Sequence, residues 1–165
     1  MKIQYLIIFL LFSLSACGFH LRGSEQKTKA QVTQVYVSNV DASQTARAVK
    51  AQLASGGKKA AGSAAKAKFI LKLENERFNQ RVLSVSPDTG KVEEYEVTLS
   101  VYMTLIDSKG KERILGEEIR LVRDYTFNES VVLGKFAEEE LLQKELITQA
   151  ASQIVRRLNT ESASE

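Results

Sequence analysis

Cys17 is the only cysteine of the 165-residue chain and His20 the only histidine. They stand three residues apart in "LSACGFHLRG", directly behind an apolar run. Four chemistries are open to a lone cysteine: half of a disulfide, a metal ligand, a catalytic thiol, or a point of covalent attachment. A disulfide within the chain needs a second cysteine, and a metal site needs three or four ligands drawn from Cys, His and carboxylates. A catalytic thiol needs a base to hold it as thiolate, and His20 has no evident partner to orient it. Attachment is the reading that remains.

The residues before Cys17 supply its context. Lys2 provides a positive start, "IQYLIIFLLFSL" from Ile3 to Leu14 is nearly all apolar, and Ser15 and Ala16 are the small residues of a cleavage site. Together these form a secretory signal. The apolar run is about a dozen residues, against the roughly twenty that a spanning helix requires. Within this class, Leu14-Ser15-Ala16-Cys17 resembles the bacterial lipobox. That resemblance implies a diacylglyceryl group on the Cys17 thiol and cleavage that leaves Cys17 as the mature N-terminus. Gly18, in place of Asp, implies onward sorting to the outer membrane, with the folded body facing the periplasm. Multiple acyl chains are what such an anchor needs, since one chain binds membranes marginally and reversibly. Residues 1–16 are thus expected to be the signal peptide and 17–30 a lipidated flexible leader.

Other chemistries find little material. Lys and Arg number 23 against 20 Asp and Glu, too small an excess to drive nucleic-acid binding by counterion release. No glycine-rich phosphate loop is present, and no Ser stands with a believable base. The carboxylates of Glu93 and Glu94, and of Glu138 to Glu140, lie in runs that read as solvated faces. The expectation is a non-enzymatic protein with no metal and no cofactor. Lys58, Lys59, Lys66 and Lys68, in "GGKKAAGSAAKAK", read as a solvated connector or as an anion-facing patch.

The elements that position these groups follow from periodicity. "VTQVYVSNV", Val32 to Val40, reads as a first strand. Asp41 is the expected N-cap of a helix whose stripe is Ala42, Ala46, Val49 and Leu53, ended by Gly56 and Gly57. From Phe69 the period becomes two, with a strand to about Ser84 whose phase is disturbed between Glu74 and Arg81, as a bulge or a projecting strand produces. "SPDTG" is a turn. The next strand alternates most clearly: Tyr95, Val97, Leu99, Val101, Met103 and Leu105 on one face, Glu94, Glu96, Thr98, Ser100, Tyr102 and Thr104 on the other. After "DSKGK" a last strand is expected from Glu112 to Phe127, with Leu115, Ile119, Leu121, Tyr125 and Phe127 in phase. From Lys135 to Leu158 the period returns to 3.6, with Phe136, Ile147, Ala150, Ala151, Ile154 and Leu158 on one stripe and Leu141, Leu142 and Leu146 outside it.

The expected fold class is α+β: two helices packed on one face of a four-stranded mixed, mostly antiparallel sheet, in the order β-α-β-β-β-α. A right-handed crossover through the first helix would set the first strand parallel to its neighbour. The domain is expected to span 31–158, with 159–165 as a polar tail.

"CGFHLRG" behind the lipobox, this element order, "EEYEV", "LVRDYTFN" and "QAASQIVRRL" together resemble the LptE family of lipopolysaccharide-assembly lipoproteins, over essentially the whole mature chain. The resemblance implies a non-catalytic subunit of the outer-membrane lipopolysaccharide translocon. Such a subunit sits in the lumen of the LptD β-barrel, assists its assembly and contacts lipopolysaccharide. The alternative is another outer-membrane assembly lipoprotein or a generic periplasmic binding module. Lipid A phosphates attract Lys and Arg, and a simple meander brings Arg81, Lys91 and Lys135 to the "SPDTG" end. Lys135 there lies in the first turn of a helix, where free N–H groups favour an anion. These three are the candidate ligand-binding residues, and Cys17 is the candidate lipidation site.

Overall fold

The computed structural model describes residues 34–57, 60–126 and 132–164, with the side chains of 132–138 outside that set. The chain runs β1 (Val35–Asn39), α1 (Ser43–Ser55), a short 3-10 turn (Ala64–Lys66), β2 (Phe69–Val85), β3 (Val92–Asp107), β4 (Glu112–Thr126) and α2 (Val132–Ser162). The four strands form one sheet in sequential order. β1 lies parallel to β2, Val35 opposite Phe69, and the other two pairings are antiparallel. This is the α+β architecture expected, with the parallel pair produced by the α1 crossover.

Alternation explains which face is buried. Leu71, Leu73, Leu99, Val101, Met103 and Leu105 point to one side of the sheet and are fully buried. Ala46, Val49 and Leu53 of α1 and Ala150, Ala151, Ile154 and Leu158 of α2 cover them. Both helices therefore bury their expected stripes among the described side chains, Phe136 lying outside that set. Leu146, which falls outside the narrow stripe of α2, is also fully buried, Leu142 packs at the margin of the core, and Leu141 is exposed. The buried face of α2 is thus wider than a single stripe, because α2 meets both α1 and the sheet.

Several details depart from expectation for identifiable reasons. Asp41 does not cap α1: the N-cap position is Ala42, with no side-chain cap. The Asp41 carboxylate accepts the Asn75 N–H instead, and the free N–H of Thr45 in the first turn is taken by Glu76 of β2 at 2.8 Å. Asn75 has φ +56° and the β2–β3 register shifts between Glu74 and Arg77, a bulge at the place where the apolar phase breaks. In β4 Leu115 is not a core residue. It is 73% exposed, and Ile114 is buried in its stead. The cause is Gly116, whose φ of +57° accompanies a register shift between Met103 and Leu105, so that the strand changes phase there. Helix α2 begins at Val132 and continues through Ser162, so most of the polar tail extends it. Phe127, Lys58 and Lys59 lie outside the described residues.

Beyond Phe78 and Val97 the β2–β3 hairpin leaves the core: Val82, Leu83 and Val85 are each about half exposed, at 50%, 44% and 52%. The "SPDTG" turn closes this arm through Ser86 N–H to the Lys91 carbonyl (2.7 Å) and Gly90 N–H to the Ser86 carbonyl (2.8 Å), with Gly90 at φ +68°. β4 accompanies the arm, Thr126 standing opposite Glu94.

Candidate functional site

The meander does what the candidate phosphate site requires of the backbone. β2 runs to the turn, β3 runs away from it and β4 returns, so Arg81, Lys91 and the end of β4 belong to the same end of the sheet, and α2 follows β4 in the chain. Lys91 directly precedes β3, its N–H bonded to Thr89 Oγ1 at 3.3 Å. Lys135 is the fourth residue of α2, in its first turn, and its side chain lies outside the described set.

Arg81 is held by a cross-strand partner. Its guanidinium grips Glu96 on the neighbouring strand with both Nε (2.7 Å) and an Nη (2.8 Å), the planar fork matching the carboxylate. The Arg81 hydrogen bond is the main reason the Glu96 carboxyl is held below its ordinary range, and the Arg81 guanidinium is raised in turn. Much of the positive charge of Arg81 is therefore answered within the sheet. Asp124 continues the row on β4, opposite Glu96. Arg81 is thus already paired, a relationship invisible until the register places Glu96 opposite it. Cys17 falls outside the described residues.

The face of the sheet away from the helices is polar. Its rows include Glu74, Tyr102 and Glu118, then Arg77, Ser100 and Arg120, then Arg81, Glu96 and Asp124. Two shallow depressions lie elsewhere. One, of about 370 Å³, runs between α1 and α2 over Ala48, Ala51 and Ile147, with Arg47 and Lys144 at its rim. Lys144 is paired with Glu140 at 2.7 Å, and Arg47 Nε donates to the Ser43 carbonyl at 3.3 Å. The other, of about 280 Å³, lies between β4 and α2 beside Ile119 and Gln153. There Arg157 bridges Glu117 (3.0 Å) and Glu161 (2.9 Å), which raise its pKa, Glu117 most. Neither depression brings together a nucleophile, a base and a group to orient it. Among the described residues no cluster of His, Cys, Asp or Glu could hold a metal ion, and no helix is long and apolar enough to cross a membrane. That Arg47 and Lys144 of two helices line one depression had no local sequence signal.

Comparison with known proteins supplies the family. The family model described as "LptE: Lipopolysaccharide-assembly" matches residues 32–158, nearly the whole folded body. The LPS-assembly lipoprotein LptE of Photorhabdus laumondii is 31% identical over 163 residues, covering 95% of this chain and 87% of that protein. Its counterpart in Pectobacterium atrosepticum is 29% identical, covering 92% and 81%. The crystal structure of the rare lipoprotein B from Shewanella oneidensis superposes with a TM-score of 0.69 at 30% identity, covering 79% of this chain and 97% of that one. On the family match and these identities, the chain belongs to the LptE lipopolysaccharide-assembly family.

Proposed function

We propose that this chain is an outer-membrane lipoprotein that partners the LptD β-barrel in lipopolysaccharide transport. In this role Cys17 carries the lipid anchor, the folded body occupies the periplasmic side and the barrel lumen, and the body makes no covalent chemistry of its own. The observation that carries the reading is the family match across 32–158. The polar outer face of the sheet supports it, since the lumen of such a barrel is polar and a plug must present a mixed surface to it. The hairpin arm supports contact with lipopolysaccharide. Its tip sets exposed Val82, Leu83 and Val85 beside Lys91, and α2, with Lys135 in its first turn, follows β4 in the chain. Apolar side chains next to cations suit a ligand with acyl chains and phosphates. Arg81 belongs to this patch while its guanidinium holds Glu96.

The test is copurification of the tagged, full-length chain in mild detergent. LptD is expected to accompany it, and intact mass of the wild type is expected to show an acylated chain beginning at Cys17, a modification absent from Cys17→Ala. Lys91→Glu combined with Lys135→Glu should weaken lipopolysaccharide binding at low salt, where exposed charges act furthest, with LptD recovery and melting temperature nearly unchanged. A chain recovered alone would remove the barrel as partner, and unaltered binding in the double variant would remove the two lysines as the ligand site.

A further inference from the structure

A sheet in sequential order has two edges, and this protein treats them unequally. The edge at β1 is five residues long and is obstructed where the Ala61 N–H takes the Val35 carbonyl at 2.7 Å. The edge at β4 is fifteen residues long, and among the described residues no segment of the chain lies along it. From Glu117 to Thr126 β4 pairs with β3 without a register shift, the Gly116 bulge lying just outside that stretch. A long, regular edge is a ready template for another strand.

We propose that the β4 edge pairs antiparallel with β4 of a second copy of this chain, about a two-fold axis at Val122. The charge pattern of the edge selects this occupant and this register. On the outer face β4 presents Glu118, Arg120, Val122, Asp124 and Thr126, all exposed. A two-fold axis perpendicular to the sheet keeps like faces together, so residues of the same phase must stand opposite one another. With the axis at Val122, Arg120 of each copy stands opposite Asp124 of the other, giving two opposite-charge pairs, while Val122 meets its own counterpart. On the helix-side face Ile119 then stands opposite Tyr125.

Neighbouring registers are worse. An axis at Arg120, Arg123 or Asp124 places that charge opposite itself, and one at Leu121 sets Glu118 against Asp124. An axis at Ile119 matches Glu118 with Arg120 but draws Gly116 and its bulge into the paired stretch. Directly opposed unlike charges stabilise a strand pair and like charges destabilise it, so the sequence of β4 is self-complementary in one register. The pairing does not rest on the barrel reading and concerns the chain produced and purified without LptD, with its β4 edge uncovered.

Sedimentation velocity of the full chain in mild detergent tests the proposal. The wild type is expected to shift from monomer to dimer as concentration rises. Arg120→Asp and Asp124→Arg should each remain monomeric, because each homodimer would then carry two like-charge pairs. An equimolar mixture of the two variants should dimerise again, since both unlike pairs are restored between them. The two substitutions lie on an exposed face, and recovery in the mixture shows that both variants are folded. Two chains sharing one micelle through their lipid would be indifferent to these charges. A wild type that stays monomeric at every concentration, variants that associate like the wild type, or a mixture that stays monomeric would each overturn the proposal.

Discussion

Glu76 Oε2 on β2 accepts the Thr45 N–H in the first turn of α1 at 2.8 Å. This joins an element at the start of the fold to a strand bulge thirty-one residues further along. Helix α1 has no acidic residue in its own first turn and no side-chain cap, so the carboxylate that answers its free N–H groups and its dipole comes from the sheet. The bulge at Asn75 accompanies this contact, and the Asp41 carboxylate, holding the Asn75 N–H, ties the bulge back to the β1–α1 connection.

Glu76→Ala should therefore behave as a helix-cap deletion, although Glu76 lies in a strand. A loss of about 0.5–2 kcal/mol is expected, read from chemical unfolding. A substitution of the exposed neighbour Arg77 that keeps the strand pairing should lie within about 0.5 kcal/mol of the wild type. Equal effects at the two positions would show that the cross-element cap contributes nothing.

The two faces of β3 give a second expectation. Leu99 is fully buried beneath the helices, and Leu99→Ala should cost on the order of 2–5 kcal/mol. Thr98 lies on the polar face, covered by neighbouring strands, and Thr98→Ala should cost far less. Thermal melts of the two variants, compared at equal concentration, check the assignment of faces.

Acid stability follows from the β3–β4 turn. The Asp107 carboxylate accepts the Lys111 and Lys109 N–H groups, each at 2.9 Å. The Lys111 bond is the leading cause that holds the Asp107 carboxyl below its ordinary range, with the Lys109 bond and the Arg113 and Lys109 charges adding to it and burial opposing. Glu96 is lowered too, by Arg81. A carboxyl lowered by folding stabilises the native state above its unfolded pKa, and that contribution is lost as pH falls through the folded value. Stability should accordingly decline on acidification below about pH 4, the unperturbed carboxylate range. Asp107→Ala should be less stable at neutral pH and show a shallower acid decline. Unfolding curves measured at stepped pH decide this, and an unchanged acid limb would show that the turn carboxylate is not part of it.

What could be read from the residues beforehand depended on whether a signal was local. β3 was legible because its neighbours on both sides impose strict alternation on every residue from Tyr95 to Leu105. The stripes of α1 and α2 were legible for the same reason at period 3.6. Leu115 was misplaced because one glycine with positive φ changes the phase of everything before it. A glycine inside a strand pattern is the signal that could have exposed the bulge. Asp41 met the residue preference of a cap, but preference says nothing of a competing N–H brought in by a bulge on another strand. The meander correctly predicted that the β2–β3 turn and the end of β4 share an end, whereas Glu96 as the answer to Arg81 depended on the register between two strands. Arg120 and Asp124 were visible as charges, but their significance required knowing that β4 is an edge.

The long hairpin has a consequence in units of length. From Arg77 to Val85 the chain is strand, and a strand advances about 3.3 Å per residue, so the arm reaches roughly 26 Å from just beyond the bulge to its tip. Three strands bonded side by side resist bending far better than a loop of equal span, and they fix the distance between the "SPDTG" turn and the helical layer. Insertions of two residues per strand, about 7 Å each, lengthen it without turning side chains over, whereas a single insertion needs a register shift of the kind the arm has between Val82 and Val85. The arm is in this sense a ruler with coarse graduations, whose length is set by whatever its tip must touch.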